Sequence, residues 1–62
     1  MPVAQPKRVL VIDDEPTFSW LVQVQLEKLG YEVVGRAKDG VEGVAKTHEL
    51  RPDVVLMDAY MP

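Results

Sequence analysis

Two short apolar runs, each ending abruptly on an aspartate, constrain this chain more than any other feature. Val9, Leu10, Val11 and Ile12 lead straight into Asp13 and Asp14, while Val54, Val55, Leu56 and Met57 lead straight into Asp58. Four consecutive apolar residues leave no polar side for water. A strand of that kind is covered on both faces, as in a parallel sheet with helices above and below it. The shortness of the runs favours strands over helices.

Helical spacing fills the gap between them. Glu15-Pro16-Thr17 opens a segment with Phe18, Leu21, Val22, Gln25, Leu26 and Leu29 at helical intervals, closed by Gly30. Proline suits the first turn, where an N–H would have no intrahelical partner, and glycine suits the left-handed position just past a helix end. Trp20 and Val24 fall off the main stripe, so this helix carries apolar residues on more than one side, a candidate contact surface. Residues 31–37 read as a second strand, with Gly35 marking a weak point or a close backbone approach. Asp39-Gly40 signals a turn, with Asp39 as helix cap, and 41–50 read as a second helix with Val41, Val44, Ala45 and His48 on one side. Gly43 inside it costs about 1 kcal/mol against alanine. Arg51-Pro52-Asp53 ends the segment, and the order is strand, helix, strand, helix, strand. With right-handed crossovers that order gives an α/β fold with a parallel sheet.

At 62 residues without a cysteine, the chain has neither a disulfide framework nor a thiolate metal site to reinforce it. A chain of this size buries only about 60% of its unfolded surface, which makes self-association an expectation. The net charge is −3, from 10 acidic and 7 basic residues. That balance argues against nucleic-acid binding, which needs a clustered basic face. No apolar run approaches the roughly 20 residues of a membrane span, and the start lacks the apolar stretch of a signal peptide. The expected location is cytoplasmic, with 1–6 as a flexible leader and 7–62 as the folded unit.

The aspartates at the strand ends carry the chemistry. In an open parallel sheet the loops leaving the carboxyl ends of the strands lie along one edge, where ligands bind. If the first and third strands are neighbours, Asp13 and Asp14 meet Asp58, and three carboxylates share one small site. Like charges that close call for a cation or a proton. An all-oxygen cluster selects a hard ion, and Mg²⁺ suits one or two carboxylates with water and a phosphate. An aspartate beside such an ion can attack phosphorus to give an aspartyl phosphate.

Val9-Leu10-Val11-Ile12-Asp13-Asp14-Glu15-Pro16, then Gly30-Tyr31-Glu32-Val33-Val34, Ala37-Lys38-Asp39-Gly40, Arg51-Pro52-Asp53-Val54-Val55-Leu56-Met57-Asp58 and Met61-Pro62 follow one another in this order. Together they resemble the response-regulator receiver domain of two-component signalling. The likeness runs from about Lys7 to Pro62 and covers about half of the family domain. It implies the first half of a flavodoxin-like doubly wound parallel sheet, which the self-association expected from the chain's small size would complete. It also implies that Asp58 is the phosphoacceptor, Asp14 the direct Mg²⁺ ligand and Asp13 an acidic partner acting largely through water. Tyr60, two residues after the acceptor, would offer its backbone carbonyl to the metal. The implied partner is a sensor histidine kinase, and the implied role is a phosphoacceptor switch, not an enzyme. In the family a later Ser or Thr hydroxyl and a Lys contact the phosphoryl group; these lie beyond residue 62, so the 62 residues alone are expected to be inactive.

Plainer roles suit the remaining residues. Asp39 and Asp53 read as cap and turn chemistry. His48, late in a helix, is explained by the helix dipole. Trp20 and Tyr60 read as core or rim packing, and Lys7-Arg8 as a solvated strand entrance. A metal-dependent hydrolase would need a separate base or acid, and none is visible. The competing reading is structural, a homodimer formed through the Val54–Met57 strand edge, since unpaired apolar edges recruit other chains.

Overall fold

The computed structural model describes residues 6–57. The elements are β1 (Arg8–Ile12), α1 (Pro16–Lys28), β2 (Glu32–Ala37), α2 (Gly40–Leu50) and β3 (Val54–Met57). All three strands are parallel and lie in the order β2-β1-β3, the expected α/β arrangement. The chain moves from β1 to β2 in one direction and crosses back over β1 to reach β3. Right-handed crossovers therefore put α1 and α2 on opposite faces of the sheet.

Side chains follow that division. Leu10 and Ile12 pack with Ala37 and Leu50 on the α2 face, while Val11 joins Phe18 and Val22 of α1 and Leu56 of β3 around a groove on the other. Val9 through Ile12 are at most 3% exposed, so the first apolar run is covered on both faces as expected. The second run is not. Residues 54–57 are 39–59% exposed because β3 is an edge strand, paired with β1 alone among the described residues.

Local signals set the helix ends. Glu15 caps α1 by accepting from the Phe18 N–H at 2.7 Å, and Pro16 takes the first turn. At the other end Gly30 adopts φ 94°, with its N–H donating to the Glu27 carbonyl and the Tyr31 N–H to the Leu26 carbonyl, both near 3 Å. These paired bonds satisfy carbonyls that the helix end leaves free. Asp39 caps α2, accepting from the Glu42 N–H at 2.8 Å.

The orientation of α1 departs from the expected stripe. Ser19 is buried and Val22 and Leu26 are half-buried, whereas Phe18, Leu21 and Leu29 stay exposed. The line Ser19, Val22, Leu26 faces the sheet. A helix that is apolar on several sides leaves its rotation to packing, and the small Ser19 lets it approach β1 and β2 closely.

Two glycines mark close approaches. The β1–β2 register shifts between Val9 and Leu10, which pair with Val33 and Gly35, leaving Val34 as the extra residue of a bulge. A Cβ on Gly35 would lie 2.8 Å from Leu50 Cδ1, so what approaches glycine there is the far end of a side chain of α2, not backbone. At the opposite end of the sheet, Arg8 is more than a solvated entrance. Its N–H donates to Asp53 Oδ2 at 2.9 Å, its guanidinium to the Arg51 carbonyl at 2.9 Å, and its carbonyl accepts from the Asp53 N–H at 2.8 Å. Asp53 thereby ties the entry of β3 to the start of β1.

Candidate functional site

The pairing of β1 with β3 starts at Val9 opposite Val54 and ends at Ile12 opposite Met57. Both strands thus stop level with each other at their carboxyl ends. The next residues in the chain are Asp13 on one side and Asp58 on the other. Asp58 and Tyr60 lie outside the described residues, as do Met61 and Pro62, and all but Pro6 of the 1–6 leader.

Asp13 is 6% exposed, deep for a carboxylate, and two backbone hydrogen bonds fix it. Its N–H donates to the Ala37 carbonyl at 2.9 Å, continuing the β1–β2 ladder by one residue. Its Oδ1 accepts from the Glu15 N–H at 2.9 Å, a local turn that aims the chain into α1. Asp14 is exposed at the lip of the same edge.

Asp13, Asp14 and Ser19 share a pocket with Arg36, Lys38 and Glu42, which approach from the end of β2 and the start of α2. Glu42 is held there. Its Oε1 accepts from the Lys38 N–H at 3.0 Å and lies 3.8 Å from Lys46 Nζ, which donates to the Arg36 carbonyl. Sequence reasoning did not mark Ser19, Arg36 or Lys38. A lone serine in a helix and an arginine in a strand carry no motif, and Lys38, though part of the Ala37-Lys38-Asp39-Gly40 segment, was given no role at the site; their convergence in space singles them out.

Among the described residues no three His, Cys, Asp or Glu side chains converge closely enough to hold a metal ion. Asp13 and Asp14 supply two of the three expected carboxylates. Their donors are all oxygen, which fits a hard divalent cation and not a soft one. His48 is exposed on α2, beside the groove formed with Val55 and Met57 and away from Asp13. No helix among the described residues is long and apolar enough to cross a membrane.

Comparison with known proteins agrees with this geometry. The family model described as "Response regulator receiver domain" matches residues 9–62. The chain is 46% identical over 56 residues to "Chemotaxis protein CheY" of Thermotoga maritima, covering 90% of this chain and 47% of that protein. It is 46% identical over 55 residues to "Protein PilH" of Pseudomonas aeruginosa, covering 89% and 45%. Similarity also extends to "Protein-glutamate methylesterase/protein-glutamine glutaminase 3" of Myxococcus xanthus, at 48% identity over 63 residues but only 18% of that protein. The chain spans about half the length of the first two relatives.

Proposed function

Because this chain belongs to the response regulator receiver domain family, we propose that it is the phosphoacceptor part of a two-component signalling switch, with Asp58 taking phosphate from a sensor histidine kinase. One observation carries the reading furthest. The in-register pairing that ends at Ile12 and Met57 brings the strands that lead into Asp13 and Asp58 to one edge, where doubly wound sheets bind ligands.

In the transfer, a carboxylate oxygen of Asp58 forms a bond to phosphorus. The P–N bond to the kinase imidazole breaks, and its electron pair returns to the ring nitrogen. Asp13 and Asp14 would hold Mg²⁺, together with Asp58 and the Tyr60 backbone carbonyl. When bound, that ion offsets charge on the transferring phosphoryl group. The buried, turn-anchored Asp13 positions negative charge there without a rotamer search. The domain acts as an acceptor and relay, not as an enzyme with a substrate of its own, and works in the cytoplasm where such kinases present their phosphohistidine.

Incubating the intact parent protein with acetyl phosphate and Mg²⁺ tests this. Acid-labile phosphate should appear in the wild type and be absent from Asp58→Asn; equal labelling of both would remove the assignment.

A second reading is favoured by the exposure of all four residues of the edge strand β3: the 62-residue chain associates with itself through the Val54–Met57 strand edge, in a structural role.

A further inference from the structure

Arg36 and Lys38 flank Ala37, which is 3% exposed and packs with Leu10 and Ile12. Alternation along the strand therefore turns the two basic side chains away from that core. They line a cavity of about 170 Å³ together with Asp13 and Asp14. The backbone fixes this meeting. The Asp13 N–H donates to the Ala37 carbonyl at 2.9 Å, so the peptide group that leads into Lys38 is bonded to the residue that leads into Asp14.

The charges around the cavity are not paired at contact distance. Glu42, its third carboxylate, has Oε1 3.8 Å from Lys46 Nζ and accepts from the Lys38 N–H at 3.0 Å. Among the described residues that is the one ion pair. Asp13 and Asp14 share the remaining wall with Arg36 and Lys38, two negative charges with two positive. A space of this size is comparable in width to the Debye length, about 8 Å at physiological salt, so these charges act on one another without touching.

We infer that Arg36 and Lys38 are resident counter-ions of Asp13 and Asp14, positioning residues that set how tightly this edge takes up a divalent cation. On the reading of Asp13 and Asp14 as Mg²⁺-holding residues, on which this role rests, they are the groups that oppose the ion. Without metal, the two basic side chains offset the mutual repulsion of the two carboxylates. A divalent cation supplies the same offset at shorter range and is itself repelled by both. Arg36 and Lys38 are exposed, so solvent screens the effect, and each lowers Mg²⁺ affinity by about two- to fivefold at low ionic strength.

Calorimetric titration of Mg²⁺ into the intact parent protein tests this. Lys38→Gln and Arg36→Gln should each bind Mg²⁺ more tightly by that factor at about 0.01 M ionic strength, where the Debye length is about 30 Å. The gain should vanish at about 1 M, where that length is about 3 Å. Lys38→Arg should keep the wild-type affinity. So should Lys28→Gln, which changes net charge equally but sits at the far end of α1, about 18 Å along the helix from Pro16. Affinity unchanged or weakened in both neutral variants, a gain matched by Lys28→Gln, or a gain that persists at high salt would overturn the counter-ion role and leave the Mg²⁺ site standing. A wild-type protein that binds no Mg²⁺ would overturn that site and the counter-ion role with it.

Discussion

Gly43 of α2 rests directly on the side chain of Ile12: a Cβ at that position would fall 3.1 Å from Ile12 Cγ1 and closer still to Cδ1. Ile12 is 3% exposed and packs with Leu10 and Ala37, and its Cγ1, not only the mobile Cδ1 end, would have to give way. Gly43→Ala gains about 1 kcal/mol in helix propensity but overpacks the core at about 1–3 kcal/mol. The net expectation is a loss of about 1 kcal/mol in urea denaturation. Gly40→Ala is the control, since nothing lies within 4 Å of its Cβ; it should be neutral or gain up to about 1 kcal/mol.

Arg51 should yield to glycine. It closes α2 in the left-handed region, at φ 50° and ψ 61°, where an L side chain costs about 1–2 kcal/mol. The Arg8 guanidinium donates to its carbonyl, and its N–H donates to the Thr47 carbonyl. Both are backbone groups that Arg51→Gly preserves. A rise of about 0.5–1 kcal/mol in unfolding free energy is expected, after allowing for the extra freedom of glycine in the unfolded chain.

Asp53→Ala removes the acceptor of the Arg8 N–H while leaving the backbone bond from the Asp53 N–H to the Arg8 carbonyl. One such bond contributes about 1 kcal/mol. Hydrogen exchange should show faster exchange at the Arg8 amide and at the start of β3, with the Phe18 and Glu42 cap amides unchanged. A uniform change across the chain would mean that Asp53 is not a local tie.

Asp13 separates architecture from chemistry. Asp13→Asn keeps an oxygen to accept from the Glu15 N–H, so stability should change by less than about 0.5 kcal/mol. Asp13→Ala forfeits that bond and should cost about 1 kcal/mol. In the intact parent both variants should weaken Mg²⁺ binding on the order of tenfold, measured by calorimetric titration. Weakening in Asp13→Ala alone would assign Asp13 to the turn and not to the metal.

Much of the architecture was legible in the order of residues, because the signals were local. Pro16, Gly30 and Asp39 act within one helical turn of themselves and sit where expected. The rotation of α1 was not legible, since a helix apolar on several sides has no single stripe to read, and the small Ser19 that faces the sheet carries no hydrophobic signal. Gly43 looked like a weakness in a helix and is instead a contact with a strand thirty-one positions earlier. The bulge at Val34 had no marker beyond Gly35. At the site, Asp13 and Asp14 were legible because strand ends announce themselves by an abrupt change in polarity. Ser19, Arg36 and Lys38 were not, because their meeting depends on how α1 and β2 are arranged around β1. Asp58 and Tyr60 fall outside the described residues.

The central position of β1 governs how the protein emerges during synthesis. Arg8–Ile12 is made before the other strands, yet one of its two partners, Val54–Met57, follows about forty-five residues later. At about 5–20 residues per second, the most water-averse segment waits roughly 2–9 s for its second neighbour. In that interval the nascent chain presents a sticky ribbon to solvent, so chaperone capture and cotranslational aggregation should depend more on substitutions at Val9 and Val11 than on any change at Asp13 or Asp14.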